Sequence, residues 1–176
     1  MEKLSLKVEK FPEGLWTYHL IVPQETVDAL SSDGNKRIIC QIEGNSAFHA
    51  GLMPDGKGRW FIKLSKDKMR DFKLDLGQQV HVTLTKDESK YGMHMPEVFG
   101  ELLYQDPEGA TYFEALTPGK KRSLIHMVAS VKSEDIKLRK ALVILQHLKI
   151  NKGILDFKQL MEAMKNKNQD LDAFFK

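Results

Sequence analysis

The sequence predicts a mainly β plus α protein: a six-stranded β-barrel over residues 1–92, built from two ββαβ repeats and capped by short helices, followed by a helical tail over 93–176. Three observations carry this. Apolar residues alternate with period two through the first half of the chain. One order of elements recurs after about 44 residues. Beyond Pro96 the apolar spacing becomes helical, and helix-capping residues recur.

The strands come first. Leu4, Leu6 and Val8 share one parity, as do Trp16, Tyr18, Leu20 and Val22. So do Ile38, Cys40 and Ile42, then Phe48, Ala50 and Leu52, and later Val80, Val82 and Leu84. Alternation of this kind, rich in β-branched and aromatic residues, marks half-buried strands. Gly44-Asn45 is a hairpin turn signal, and Pro54-Asp55-Gly56-Lys57-Gly58 is a longer one. Pro23 opens a short helix with proline in its first turn, and Ser65 caps a second that runs to about Phe72.

Shifting the chain by 44 places lays Leu4, Leu6 and Val8 on Phe48, Ala50 and Leu52, Gly14 on Gly58, Trp16 on Trp60 and Leu20 on Leu64. A two-residue deletion then brings Ile38, Cys40 and Ile42 onto Val80, Val82 and Leu84. The repeats are 1–43 and 46–87, each reading strand, strand, short helix, strand. Neither is large enough to bury its own apolar face, so the two close one core, and closure removes exposed edges. A barrel completed within one chain needs no partner, so the expectation is a monomer whose barrel, cut after about residue 92, folds alone.

Tyr91 to Pro96 reads as a connector. A helix from Pro96 to about Gln105 follows. Asp106-Pro107-Glu108 is a second start, with a capping Asp, proline at the first position and an acid on the helix dipole. Thr117-Pro118 repeats that logic. Ser133-Glu134-Asp135 caps the longest helix, to about Lys149, with Leu138, Leu142, Leu145 and Leu148 on one face. Phe157, Leu160, Met161 and Met164 have the same spacing in a last helix. These stripes must pack on each other or on the barrel.

Composition narrows the class. With 41% hydrophobic and 29% charged residues, the 176-residue chain is an ordinary globular one. A net charge of +3 is too mild to imply nucleic acid or an anionic membrane by itself. The single cysteine, Cys40, cannot form an internal disulfide, the first residues lack a signal-peptide apolar core, and the longest apolar run is Ala141 to Leu145. A cytoplasmic protein without a membrane span is expected.

Few residues point to chemistry. Between Leu116 and Lys152 nine Lys or Arg face only Glu134 and Asp135, a local excess of +7 that leaves −4 elsewhere. Lys120, Lys121, Arg122, Lys132, Lys137, Arg139 and Lys140 could form a patch for phosphate groups or a protein partner, or be the solvated faces of amphipathic helices. Aromatic residues are scarce there, which weighs against single-strand stacking. Gly56-Lys57-Gly58 lacks the spacing and the Lys-Ser/Thr ending of a phosphate loop and reads as a turn. The six histidines, at 19, 49, 81, 94, 126 and 147, show no metal-ligand spacing. His94 stands between two methionines, a pairing that could suit soft copper. Cys40 sits on an apolar face and reads as structural. There is no G-x-S-x-G elbow, zinc-protease motif or Rossmann fingerprint, so neither a catalytic residue nor a cofactor is expected. Trp16 and Trp60, matched across the repeat, read as core anchors or as a symmetric aromatic ligand pocket.

Gly44-Asn45-x-x-Phe48, then Leu52-x-Pro54-x-Gly56-x-Gly58-x-Trp60-x-x-x-Leu64, then Lys66, Arg70, Gly77, Val80, Val82, Leu84 and Asp87, resemble the bacterial domain of unknown function numbered 1905, over residues 2 to 91. One departure is Gln78, where that family usually has Asp. The tail, through Phe113, Leu116, Lys120-Lys121-Arg122, Lys132, Glu134, Lys137, Arg139 and Lys140, resembles the bacteriocin-protection, YdeI or OmpD-associated family. It departs at His126, near where that family prefers tryptophan, and at Ile136, where it prefers threonine. The first resemblance implies a double-split β-barrel of two related halves. The second implies a bacteriocin- or stress-protection role. The leading expectation is a non-enzymatic binding module with the barrel as scaffold and the tail as recognition surface. The alternatives are nucleic-acid binding through the basic tail, and an enzyme with a site at the barrel–helix junction near His126 and Lys132.

Overall fold

The computed structural model describes residues 1–12 and 18–165. The chain divides into two compact units, Met1–Gly92 and Met93–Lys176. The first holds β1 (Glu2–Lys10), β2 (Tyr18–Val22), α1 (Gln24–Leu30), β3 (Arg37–Ile42), β4 (Phe48–Pro54), β5 (Trp60–Leu64), α2 (Lys66–Asp71) and β6 (Gln79–Lys86). The strands close into a barrel in the order β1-β2-β5-β4-β3-β6, every pair antiparallel. This is the predicted six-stranded barrel of two ββαβ units.

The duplication extends to register. Leu4 pairs with Val82 as Phe48 pairs with Cys40, and Leu6 with Val80 as Ala50 with Ile38. Between the halves, Cys40 pairs with Leu84 and Ile42 with Val82, a pairing that maps onto itself when the halves are exchanged. The hairpins break the symmetry. Val8 faces Leu20, whereas Leu52 faces Ile62. The connection at 11–17 is two residues longer than the one at 55–59. A slip of two preserves parity, so the inward face is unchanged. That face is the predicted one: Val8, Leu20, Ile38, Cys40, Ile62 and Leu84 are all sealed in the core.

Local chemistry fixes the turns. The Asp55 carboxylate accepts the backbone N–H of Lys57 at 2.8 Å and of Arg59 at 3.0 Å, and Arg59 Nε at 2.7 Å. Gly56 and Gly58 adopt φ of 77° and 84°, the left-handed region this loop requires. The Lys57 N–H, with Arg59, draws the Asp55 carboxyl down to about 2. Gln78 does in its turn what a shorter acid would do: its Oε1 accepts the Asp75 N–H at 2.8 Å. The Ser65 hydroxyl accepts from the Lys68 N–H and caps α2.

The second unit holds α3 (Glu97–Gln105), α4 (Pro107–Glu114), α5 (Pro118–Ala129), α6 (Glu134–Ile150) and α7 (Phe157–Lys165). Asp106 caps α4 through the Gly109 N–H, and Ser133 caps α6. The leucine stripe of α6 is wider than its spacing suggests. Ala141 to Leu145 are buried without a break, as are His147 and Leu148, because α6 packs against α3, α4, α5 and α7. The stripe of α7 is used only in part: Leu160 is buried, while Phe157 and Met161 are exposed. Among the described residues no helix is long and apolar enough to cross a membrane.

Candidate functional site

Two constructed polar features stand out, one in each unit. In the barrel unit, the period-two pleat turns His49 outward between buried Phe48 and Ala50. Its Nδ1 lies 2.7 Å from Oδ2 of Asp87, whose side chain is wholly buried just past the end of β6. The other oxygen, Oδ1, accepts from the Ser89 N–H at 3.0 Å and the Ser89 hydroxyl at 2.6 Å. Burial pushes the Asp87 carboxyl up, but the Ser89 and His49 donors more than offset this and hold it below the usual carboxylate range. An ionised Asp87 needs a donor from the ring, so Nδ1 carries a proton and Nε2 points away from the carboxylate.

The surrounding bonds tie the segment after β6 to the barrel. Asn35 Nδ2 donates to the Asp87 carbonyl at 3.2 Å, the Asp87 N–H to the Arg37 carbonyl at 3.0 Å, and Arg37 Nη2 to the Gly92 carbonyl at 2.8 Å. The Arg37 side chain runs past Gly51 and Gly92, where an added Cβ would stand 3.0 Å and 3.1 Å from guanidinium nitrogens. The imidazole is oriented as a general base would be. Yet the Ser89 hydroxyl donates to Asp87, so it is not placed as a nucleophile activated by His49. The arrangement is a clasp for residues 87–92.

In the helical unit, α3 and α6 leave an open groove. α3 presents Glu97, Val98, Glu101, Leu102 and Gln105, one stripe at helical spacing, and α6 presents Glu134 and Leu138, around a space of about 510 Å³. It adjoins a second depression of about 290 Å³, which shares Leu102 and Gln105 and adds Asp106, Pro107, Glu108, Leu142 and Leu145. The floor is leucine and the rim is carboxylate. Lys137 pairs with Glu134 at 2.6 Å, and Lys149 with Asp106 at 2.7 Å. Glu97, Glu101 and Glu108 are exposed. Glu97, Glu108 and Glu134 sit in first helical turns, where the dipole favours them, but Glu101 in mid-helix has no such role. From Glu134 to Leu145 the groove runs roughly 16 Å at about 1.5 Å per residue.

The residues singled out in the sequence are dispersed. Lys121 pairs with Glu114 at 2.7 Å, Lys137 with Glu134, and Lys140 donates to the Met127 carbonyl at 2.9 Å. Lys120 and Lys132 are exposed, whereas Arg122 and Arg139 are half-buried. Trp60 is half-buried at the start of β5 with Lys36 Nζ 3.6 Å from its ring centroid, and Trp16 lies outside the described residues. His126 is exposed on α5. Cys40 is in the barrel core, where burial pushes its thiol up to about 12. His19 is buried and stacked on Phe11 at 3.9 Å. His81 and His94 are exposed. Among the described residues no group of three or more His, Cys, Asp or Glu could hold a metal. Sequence reasoning missed both the clasp and the groove. Asp87 stood in the pattern of the first family, and that was its only signal.

Barrel and clasp belong to one compact unit, and the groove to the other. Residues 6–84 match the family model described as Domain of unknown function (DUF1905), and residues 93–150 match the one described as Bacteriocin-protection, YdeI or OmpD-Associated. The two families stand in the order that the residue patterns implied. Neither the curated proteins nor the solved structures compared with the chain give a match.

Proposed function

We propose that the protein is a non-enzymatic binding and stress-protection module that engages cationic, amphipathic peptides of the bacteriocin kind through its helical unit. The observation that supports this is the α3–α6 groove, apolar along Leu102, Leu138, Leu142 and Leu145 and edged by Glu97, Glu101 and Glu108. An amphipathic helix lays its apolar face into such a groove, and its cations meet the acidic edge. The description of the tail family, bacteriocin protection, agrees with that chemistry. In this reading the barrel is the scaffold and the basic residues of α5 and α6 mainly hold the helical unit together, since Lys121 reaches Glu114 of α4, Lys140 the Met127 carbonyl of α5, and Lys137 the Glu134 of its own helix.

The test is anisotropy of a labelled Lys/Leu amphipathic helical peptide with the full chain, beside a Glu/Leu analogue of equal length and short DNA and RNA. The cationic peptide is expected to bind, and Glu97→Gln/Glu101→Gln to weaken it about tenfold or more. Equal binding of the acidic peptide would remove the groove reading. Salt-sensitive nucleic-acid binding lost in Lys120→Gln/Lys121→Gln/Arg122→Gln would put the basic helices in its place.

A further inference from the structure

Four large apolar side chains are exposed together at the α6–α7 corner. Ile150, Ile154, Phe157 and Met161 are 70%, 72%, 39% and 43% exposed. They occupy the end of α6, the turn after it and one edge of α7, and none lines the groove described above. Buried Leu160 fixes how α7 is rotated. At about 100° per residue, the side chains met on one side of the helix after Leu160 are Met164, Phe157, Met161, Lys165 and Lys158 in turn. The apolar edge therefore runs directly into two exposed lysines, with exposed Lys152 in the adjoining turn. Of the acids nearby, exposed Glu162 comes next after Lys158 around α7, about 100° from Met161 and one turn along from Lys158, and Asp156 is the cap, accepting from the Lys158 and Gln159 N–H groups at 2.8 Å and 3.1 Å.

Exposed Ile, Phe and Met flanked by lysines on one side are the chemistry of a helix that lies in a lipid–water boundary, with aliphatic stems reaching outward and ammonium groups on anionic headgroups. We infer that the corner formed by Ile150, Ile154, Phe157 and Met161, with Lys152, Lys158 and Lys165, docks the protein reversibly on an anionic lipid surface. A contact this small is weak and depends on salt.

Co-sedimentation of the full chain with vesicles tests it, comparing phosphatidylcholine alone with phosphatidylcholine mixed with phosphatidylglycerol. Binding is expected on the anionic vesicles only, falling with salt. Lys158→Gln/Lys165→Gln should lower partitioning roughly tenfold or more. Both lysines are exposed, so this variant is expected to keep its circular dichroism spectrum. Ile154→Glu should abolish binding. No binding to the anionic vesicles, or equal binding to both, overturns the inference. So does a concentration-dependent dimer abolished by Ile154→Glu, which would assign the corner to a second copy. Crosslinks from Phe157 or Met161 to residues 166–176 in vesicle-free protein would assign it to the chain's own end and overturn it as well.

Discussion

Asp87 has its carboxylate sealed from water yet receives three donors, from His49 and from the Ser89 backbone and hydroxyl. An amide in its place keeps one acceptor oxygen for the two Ser89 donors and turns an N–H group toward His49 Nδ1, so the third bond is lost unless the ring moves its proton to Nε2. Asp87→Asn is therefore expected to cost about 1–3 kcal/mol in urea unfolding, and to loosen the His49 ring, read from the NMR line widths of its carbon-bound protons. Two kinds of group set the response to acid. Asp55 and Asp87 have folded-state values below their unfolded ones, so their contribution is complete above the usual carboxylate range and is lost as pH falls through it, toward about 2 for Asp55. His147 is pulled down by burial, and its Nε2 accepts the Asp156 N–H at 3.2 Å. The neutral ring is the bonded form. Its contribution is complete above the ordinary histidine value near about 6.5 and declines as pH drops below it. Urea midpoints measured from neutral to acid pH should fall first through the histidine range and again below about 4, and His147→Gln should remove only the first decline.

At the scale of elements, what could be read from the chain depended on how local the cause was. The strands were legible because parity is local: Leu6 and Val8, or Ile38, Cys40 and Ile42, announce the inward face without reference to a partner. Caps at Ser65, Asp106 and Ser133 were legible for the same reason. The clasp was not, since His49 and Asp87 are 38 positions apart and each passes for an ordinary surface residue until β4 and β6 flank β3 in one sheet. The groove was hidden too. Glu97 and Glu134 look like dipole-compensating acids, and only the packing of α3 against α6 brings them together over Leu102 and Leu138. The α6–α7 turn shows how tightly a connection can be specified. Gly153 has φ of 84°, and an added Cβ would stand 2.9 Å from Tyr112 Cδ1. Gly153→Ala combines a strained backbone with that contact and is expected to cost at least about 1 kcal/mol, measured as a lowered thermal midpoint with increased amide exchange in α7.

For the whole molecule, the barrel unit carries its own closed sheet and its own core, and the helical unit is built around α6. A fragment of residues 1–92 is expected to give a dispersed amide NMR spectrum and a cooperative thermal transition; a collapsed spectrum would mean that the barrel depends on the helices. The bulk of this plan was legible because duplication leaves a trace in spacing even where few residues are identical, as Leu6 and Ala50 or Cys40 and Val82 show. The match of registers between halves has a further consequence. Leu4 in β1 pairs with Val82 in β6 just as Phe48 in β4 pairs with Cys40 in β3. The seam between the two ends of the barrel is thus the same joint as the continuous β3–β4 hairpin. In the barrel fragment, a circular permutant that bridges Lys86 to Met1 with a turn copied from residues 43–47, and begins instead at Asn45, is expected to keep every strand pairing, read from the cross-strand contacts in its NMR spectrum; loss of the β1–β6 contacts would show that the seam is not a joint the chain can cross.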